Sequence, residues 1–426
     1  MEHKSIFKNF FHLGLLQITN YLLPLLLIPY LIRVLGEENF GKISFAQAIL
    51  GYFAIIVDYG FNLSATRNVV ACRDDKTKLT EIFNNVLFTK LFLAFLTFLL
   101  LLLLLLFFPK IRQESFLYIT GFSIVLGQAL LPVWFYQGIE KMQFLTYTNL
   151  INKIITFIGI IVFVKQNSDY QQVLFFYGLG GFLAGVISLI HIKRSLGIKI
   201  QLTTWQNIYK ELQKGVHIFL SYFTVSFYIN LHLIILGIFT NDLIVGYYSI
   251  AEKIVYMFRV IIITFNQAVQ PYLYSIAQQM QKLFKFFSGI YLIFAVTFLL
   301  ITIIAFFNTE WILWIIKKDF NTSINQCLKL IIFVPFITIL HLPTGGMLLI
   351  HQKDKDYSKA IVVTSIVSLL LNIPASIFFH ELGVAAVSVF LEVLVLILFI
   401  QIIRKKYPEY DLIQYFFQKK NFKNYG

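Results

Sequence analysis

Charge is what this chain has least of. Only 13% of its 426 residues are Asp, Glu, Lys or Arg, and the 21 acids are outnumbered by 35 basic residues. A soluble domain carries roughly 25% charged residues, so this chain lacks the polar surface needed to coat a water-facing globule. Cysteine is nearly absent as well. Cys72 and Cys327 lie far apart with no metal-ligand pattern beside them, which excludes a disulfide framework and a zinc site and leaves them as packing residues. The patterns GxxxxGK[ST] and HExxH are missing, as is a Gly-rich strand-to-helix turn, so nothing points to a nucleotide machine or a metallohydrolase. No polar stretch is long enough for a large extramembrane domain.

What remains is apolar. Hydrophobic residues make up 58% of the chain, and the mean hydropathy is +0.77. This composition predicts an all-α polytopic membrane protein. Apolar runs bounded by charge or turn residues predict about twelve spans, near 10–34, 42–63, 83–108, 115–137, 145–164 and 172–192, then 216–239, 244–269, 286–307, 327–350, 358–379 and 383–403. The first run continues past Val34 with no small-residue cleavage site, so it predicts a retained helix rather than a signal peptide.

Basic residues crowd one set of alternate loops, including Arg67, Arg73, Lys76, Lys78, Lys193, Arg194, Lys199, Lys353, Lys355 and the tail Arg404, Lys405 and Lys406. The other set holds fewer, among them Lys110, Arg112, Lys317 and Lys318. That asymmetry predicts cytoplasmic termini. The net charge of +14 is dispersed among the spans and not gathered into a patch, which argues against nucleic acid as a partner. The segment 193–215 places Trp205, Ile208, Tyr209 and Leu212 at helical spacing among charges, the pattern of a short helix lying on the inner membrane surface; a solvated loop is the plainer alternative. The expected layout is a six-helix lobe at 1–196, a cytoplasmic linker at 197–214, a second six-helix lobe at 215–403 and a basic tail at 404–426.

A weak internal repeat supports two lobes. Shifted by 205 positions, Gly41, Ser44 and Ala46 meet Gly246, Ser249 and Ala251, and Gln47 stands opposite Glu252. Shifted by 211, Leu131 and Pro132 meet Leu342 and Pro343. Spans of like direction related in this way suggest a parallel repeat with a cavity between its halves.

Polar residues form stripes inside the spans. At the helical period Glu252, Tyr256, Arg259, Asn266 and Gln270 fall in one sector, where exposing them to lipid would cost at least about 2.5 kcal/mol for a central charge. Span 2 offers Gln47, Gly51 and Asp58; span 7 offers His217, Ser221, Thr224, Tyr228 and His232; span 1 offers Gln17, Asn20, Tyr21 and Pro24. These four spans are expected to line water, whereas the eight leucines Leu99 to Leu106 are expected to face lipid. Polar side chains that only bond helices together are the ordinary alternative.

Three segments carry a family resemblance. Arg33-Val34-Leu35-Gly36 followed by Asn39-Phe40-Gly41, Asp58-Tyr59-Gly60-Phe61 running into Ala65-Thr66-Arg67, and Trp134 to Met142 resemble the polysaccharide transporters of the Wzx or O-antigen flippase type, in the multidrug/oligosaccharidyl-lipid/polysaccharide exporter superfamily. The resemblance implies a MATE-like V of two six-helix lobes around a cationic cavity. It implies a carrier that moves an undecaprenyl-pyrophosphate-linked oligosaccharide across the bacterial inner membrane by alternating access, drawing on an H+ or Na+ gradient and no other cofactor. A polymerase and a chain-length regulator of the same pathway are implied partners.

On this reading Arg259, Arg33, Lys253, Lys90 and Lys153 are candidates for the anionic headgroup. Arg259 leads by its depth, Arg33 sits near a rim, and Lys90 and Lys153 are placed to snorkel toward the interface. Tyr256, Asn266 and Tyr228 are candidates for the sugars. Asp58 and Glu252 are candidates for ion coupling, with Glu392 behind them. Rival readings are an organic-cation antiporter on the same fold, a membrane-embedded polymerase or ligase, and a scaffold for polysaccharide assembly.

Overall fold

A computed structural model describes the backbone of residues 2–412 and 414 and the side chains of 26–220, 223, 231–412 and 414. Among the described residues the chain is helix and turn, with no strand. It forms two compact units, Met1–Phe227 and Tyr228–Gly426.

The first unit opens with α1 (Glu2–Asp58), a continuous run broken at Gly36, whose φ of 73° and ψ of 176° lie in a region essentially reserved for glycine. After Tyr59 and Gly60, both at positive φ, α2 (Phe61–Ala71) follows. Asp75 then caps α3 (Lys76–Phe107), accepting from the backbone N–H of Thr77 and Lys78. These bonds, that of Lys78 foremost, hold its carboxyl below the usual carboxylate range. Along α3 the leucine run divides by face as lipid contact requires: Leu99, Leu100, Leu102, Leu103 and Leu106 are exposed, while Leu101 and Leu105 are buried.

Four short helices continue the unit: α4 (Pro109–Gln113), α5 (Ser115–Gly121), α6 (Ser123–Leu130) and α7 (Val133–Gly138). Two long ones complete it, α8 (Met142–Phe163) and α9 (Tyr170–Ser195). Small residues let α6 and α9 cross closely: a Cβ on Gly127 would come within 2.8 Å of the Gly181 backbone. The motif beginning at Trp134 is an anchor. Trp134, Phe135 and Tyr136 are buried, the Tyr136 hydroxyl donates to the Ser188 carbonyl at 3.1 Å, and Arg73 Nε donates to the Gly138 carbonyl at 2.6 Å.

Residues 197–204 are pinned to α3. The Asn84 carboxamide donates to the Lys199 carbonyl and accepts from the Gln201 N–H, both at 2.9 Å, and Thr203 donates to Asn85. The amphipathic segment after it differs from the separate surface helix expected: Trp205 opens α10, which runs unbroken to Phe239 (Trp205–Phe239). Nothing between Trp205 and Phe239 breaks helical spacing, since the segment has no proline and only two well-separated glycines, Gly215 and Gly237. The division between the two units falls inside α10.

The second unit contains α11 (Asp242–Ser275), α12 (Met280–Phe286), a π-helical turn (Phe287–Tyr291), α13 (Leu292–Phe307), α14 (Thr309–Lys317), α15 (Thr322–Ile331), α16 (Val334–Ile350) and α17 (Asp354–Lys406). A break at His380, with φ 51° and ψ −133°, divides α17 as Gly36 divides α1. Ile262, Phe298 and Ile339 tie α11, α13 and α16 into one apolar cluster.

Eight helical runs among the described residues are long and apolar enough to cross a bilayer, against about twelve expected. The difference has identifiable sources. Both α17 and the described part of α1 count once although each is broken, α10 contains undescribed side chains, and α11 carries Glu252, Lys253, Arg259 and several amides. The chain is a multi-pass membrane protein. Repeat-related residues are buried alike: Ser44 with Ser249, and Ala46 with Ala251.

Candidate functional site

Each unit holds a cluster of ionisable side chains deep among its spanning helices. In the first, Asp58 ends α1 with 4% of its surface exposed. Its Oδ1 accepts from Asn62 at 2.8 Å and from Gln128 at 3.2 Å, and Lys90 Nζ lies 3.8 Å from the same oxygen. The burial of Lys90 at 1% exposure corrects the expectation that it snorkels to the interface. The Asp58 carboxylate gives the head of Lys90 a counter-charge where it stands, so its long stem gains little by carrying the charge to water.

Next to this pair lies a cleft of about 320 Å³ lined by Gln47, Gly51, Gln128, Asn152, Lys153 and Tyr177, with Thr156 and apolar neighbours. Helices α1, α6, α8 and α9 each contribute to it. Gln128 joins the cleft to the pair, since its amide donates to Asp58. Lys153 is half-buried here and makes no hydrogen bond or ion pair among the described residues.

The second unit builds a larger network. Arg259 Nη2 donates to Glu392 Oε1 at 2.9 Å, while Glu392 Oε2 contacts His341 Nε2 at 2.9 Å and accepts from Thr338 at 3.2 Å. Glu252 pairs with His232 Nε2 at 2.8 Å. Glu252 and Arg259, neighbours on one face of α11, thus each find a partner on another helix. The Tyr291 hydroxyl donates to Asn266 at 2.9 Å, which ties that amide to the π-helical turn. Tyr256 is exposed and Lys253 half-buried. Arg33 is exposed, three residues before the break at Gly36. The side chains of Tyr228, Ser221, Thr224, Gln17, Asn20, Tyr21 and Pro24 lie outside the described residues.

Sequence reasoning ranked Glu392 last among the acids and did not single out His341 or Thr338. A signal existed, because Glu392 and His341 are lone polar residues deep in apolar runs. What the sequence could not supply was their pairing across α16 and α17 with α11.

A second, more polar cavity of about 670 Å³ lies in the first unit, where the start of α3 meets residues 197–207. Lys76, Glu81, Asn84, Asn85, Lys199 and Thr203 are among its walls.

Against known proteins, residues 6–277 match a family described as polysaccharide biosynthesis protein. A provisionally named O-antigen transporter of Escherichia coli (strain K12) is 29% identical over 407 residues, covering 94% of this chain and 97% of that protein. A protein of the same provisional name from Shigella dysenteriae is 26% identical, covering 93% of this chain and all of that one. Among solved structures, an inward-facing multidrug resistance MATE transporter of the MOP superfamily aligns with a TM-score of 0.63 at 12% identity, covering 92% of this chain and 98% of that chain. The lipid II flippase MurJ, inward closed, aligns at 0.59 and 13% identity, covering 86% and 87%. The fold is that of these transporters.

Proposed function

Because the chain belongs to the polysaccharide biosynthesis protein family, we propose that it is a flippase for a lipid-linked oligosaccharide. The passenger is an undecaprenyl-pyrophosphate-linked repeat unit, carried across the bacterial inner membrane by alternating access, with both termini in the cytoplasm. One observation carries the reading: ionised side chains sit inside the spanning helices and are held there by partners, as Asp58 by Lys90 and Glu392 by Arg259. Intramembrane ions are expensive and mark pathways for polar cargo. A diphosphate sugar cannot enter hydrocarbon unaided, while its polyprenyl tail can remain in lipid as the head crosses.

Within this reading Arg259 remains the strongest candidate for the headgroup. Its side chain is 32% exposed, so a diphosphate can reach the guanidinium, whose planar fork matches phosphate oxygens. Arg33, Lys253 and Lys90 are weaker, Lys90 because Asp58 already neutralises it. Glu252, beside His232, is better placed than Asp58 or Glu392 to carry a coupling H+ or Na+, because among the described residues no lysine or arginine competes for it at bonding distance, whereas Lys90 and Arg259 stand against the other two. The likeness to multidrug transporters belongs to the fold; family membership favours the glycan passenger over an organic cation. A polymerase and a chain-length regulator are expected to act downstream.

The direct test uses the purified chain in vesicles loaded on one leaflet with a fluorescent undecaprenyl-pyrophosphate oligosaccharide. Movement of the glycan to the opposite leaflet, read by accessibility to a lectin or a quencher, is expected. Arg259→Ala should abolish it while Arg259→Lys retains part. Vesicles in which the glycan stays where it was placed sink the proposal.

A further inference from the structure

We propose that the cleft around Lys153 in the first unit is a glycan subsite that takes one sugar ring bearing a single carboxylate. The inference rests on the flippase reading and deepens it, because it assigns an acidic sugar to the passenger.

The argument starts from charge. Lys90 is matched by Asp58 and Arg259 by Glu392, but the Lys153 ammonium has no such match among the described residues. A half-buried ammonium within a spanning helix forfeits hydration and gains from an anion. One ammonium is a point charge with three donors, suited to one negative charge. A diphosphate carries more and is better served by the guanidinium fork.

The remaining walls suit a sugar. Gln47, Gln128 and Asn152 each present a carbonyl acceptor and amide donors, matching hydroxyls that both donate and accept. Tyr177 adds an amphipathic aromatic face. A volume of about 320 Å³ stands at the small end of ligand pockets, room for a ring and its substituents and not for a whole repeat unit. The space is open: a Cβ added at Gly51 meets nothing within 4 Å, and at Gly181 the nearest atoms are 3.8 and 3.9 Å away.

Equilibrium binding of radiolabelled glucuronate to the full chain in nanodiscs tests the assignment, with glucose and inorganic pyrophosphate as competitors. Glucuronate should bind about tenfold or more tighter than glucose, the factor expected of one charged hydrogen bond. Lys153→Met should remove that advantage and leave glucose binding nearly unchanged, Lys153→Arg should keep most of it, and Gly51→Leu should block both sugars by filling the cleft. Monodisperse elution of each variant establishes that it has folded. Equal binding of glucuronate and glucose overturns the proposal, as does unchanged glucuronate binding in Lys153→Met. Displacement of glucuronate by pyrophosphate with glucose inert would also overturn it, by assigning the cleft to phosphate. Transport is measured on the same preparation. Transport without carboxylate-dependent binding defeats the subsite alone, whereas carboxylate-dependent binding without transport upholds the subsite and defeats the flippase reading.

Discussion

Asp58 and Lys90 are worth more together than either is alone. Removing one partner of a buried ion pair strands the other charge at a cost of about 3–5 kcal/mol, whereas removing both can be nearly neutral. Lys90→Met is therefore expected to lower the thermal stability of the detergent-solubilised protein sharply, and the double variant Lys90→Met with Asp58→Asn to recover most of the loss. A double variant less stable than either single one would show that the pair is not the unit. The same reasoning applied to Glu392 predicts a larger penalty, because Glu392→Leu removes one carboxylate that bonds Arg259, His341 and Thr338 together. The sequence disclosed which residues were anomalous, since a charge in an apolar run stands out by itself. It could not disclose Lys90 with Asp58 or Arg259 with Glu392, because the members of those pairs are 32 and 133 positions apart, and no helical period relates them.

At the level of single helices, adjacent glycines in α16 make opposite demands. A Cβ on Gly345 would lie 2.8 Å from the buried ring of Phe399, whereas on Gly346 it meets nothing within 4 Å. Gly346→Ala should stabilise the helix by about 0.5–1 kcal/mol, and Gly345→Ala should destabilise it; melting curves of the two variants, moving in opposite directions, check the packing of α16 on α17. Gly36→Ala carries a different penalty. Its nearest neighbour would be 3.9 Å away, so the cost is backbone strain alone, about 1–3 kcal/mol. Helix existence and the lipid face of α3 were legible because apolar runs and the period of 3.6 report them directly. The breaks at Gly36 and His380 were legible only as polar gaps between spans. That Trp205 begins α10 and not a separate surface helix was hidden, because an amphipathic pattern does not say whether a helix stops.

For the molecule as a whole, the asymmetry of Lys and Arg predicts sidedness, and the two native thiols can report it. Cys72 is partly exposed and follows α2, on the side where basic residues are dense; Cys327 is buried. A membrane-impermeant maleimide should leave both unmodified in intact spheroplasts and should label Cys72 after permeabilisation. Labelling of Cys72 without permeabilisation would reverse the topology. The composition announced a multi-pass protein at once, while the division inside α10 was invisible to it, since compactness depends on contacts between distant segments.

The pairing of interior charges has an electrical corollary. Carrying one elementary charge through 100 mV of membrane potential involves about 2.3 kcal/mol. Asp58 with Lys90, and Arg259 with Glu392, each move as a neutral dipole whenever their helices shift. Voltage then has little purchase on these pairs, and acts instead on an interior charge without a matching partner among the described residues, such as the Lys153 ammonium.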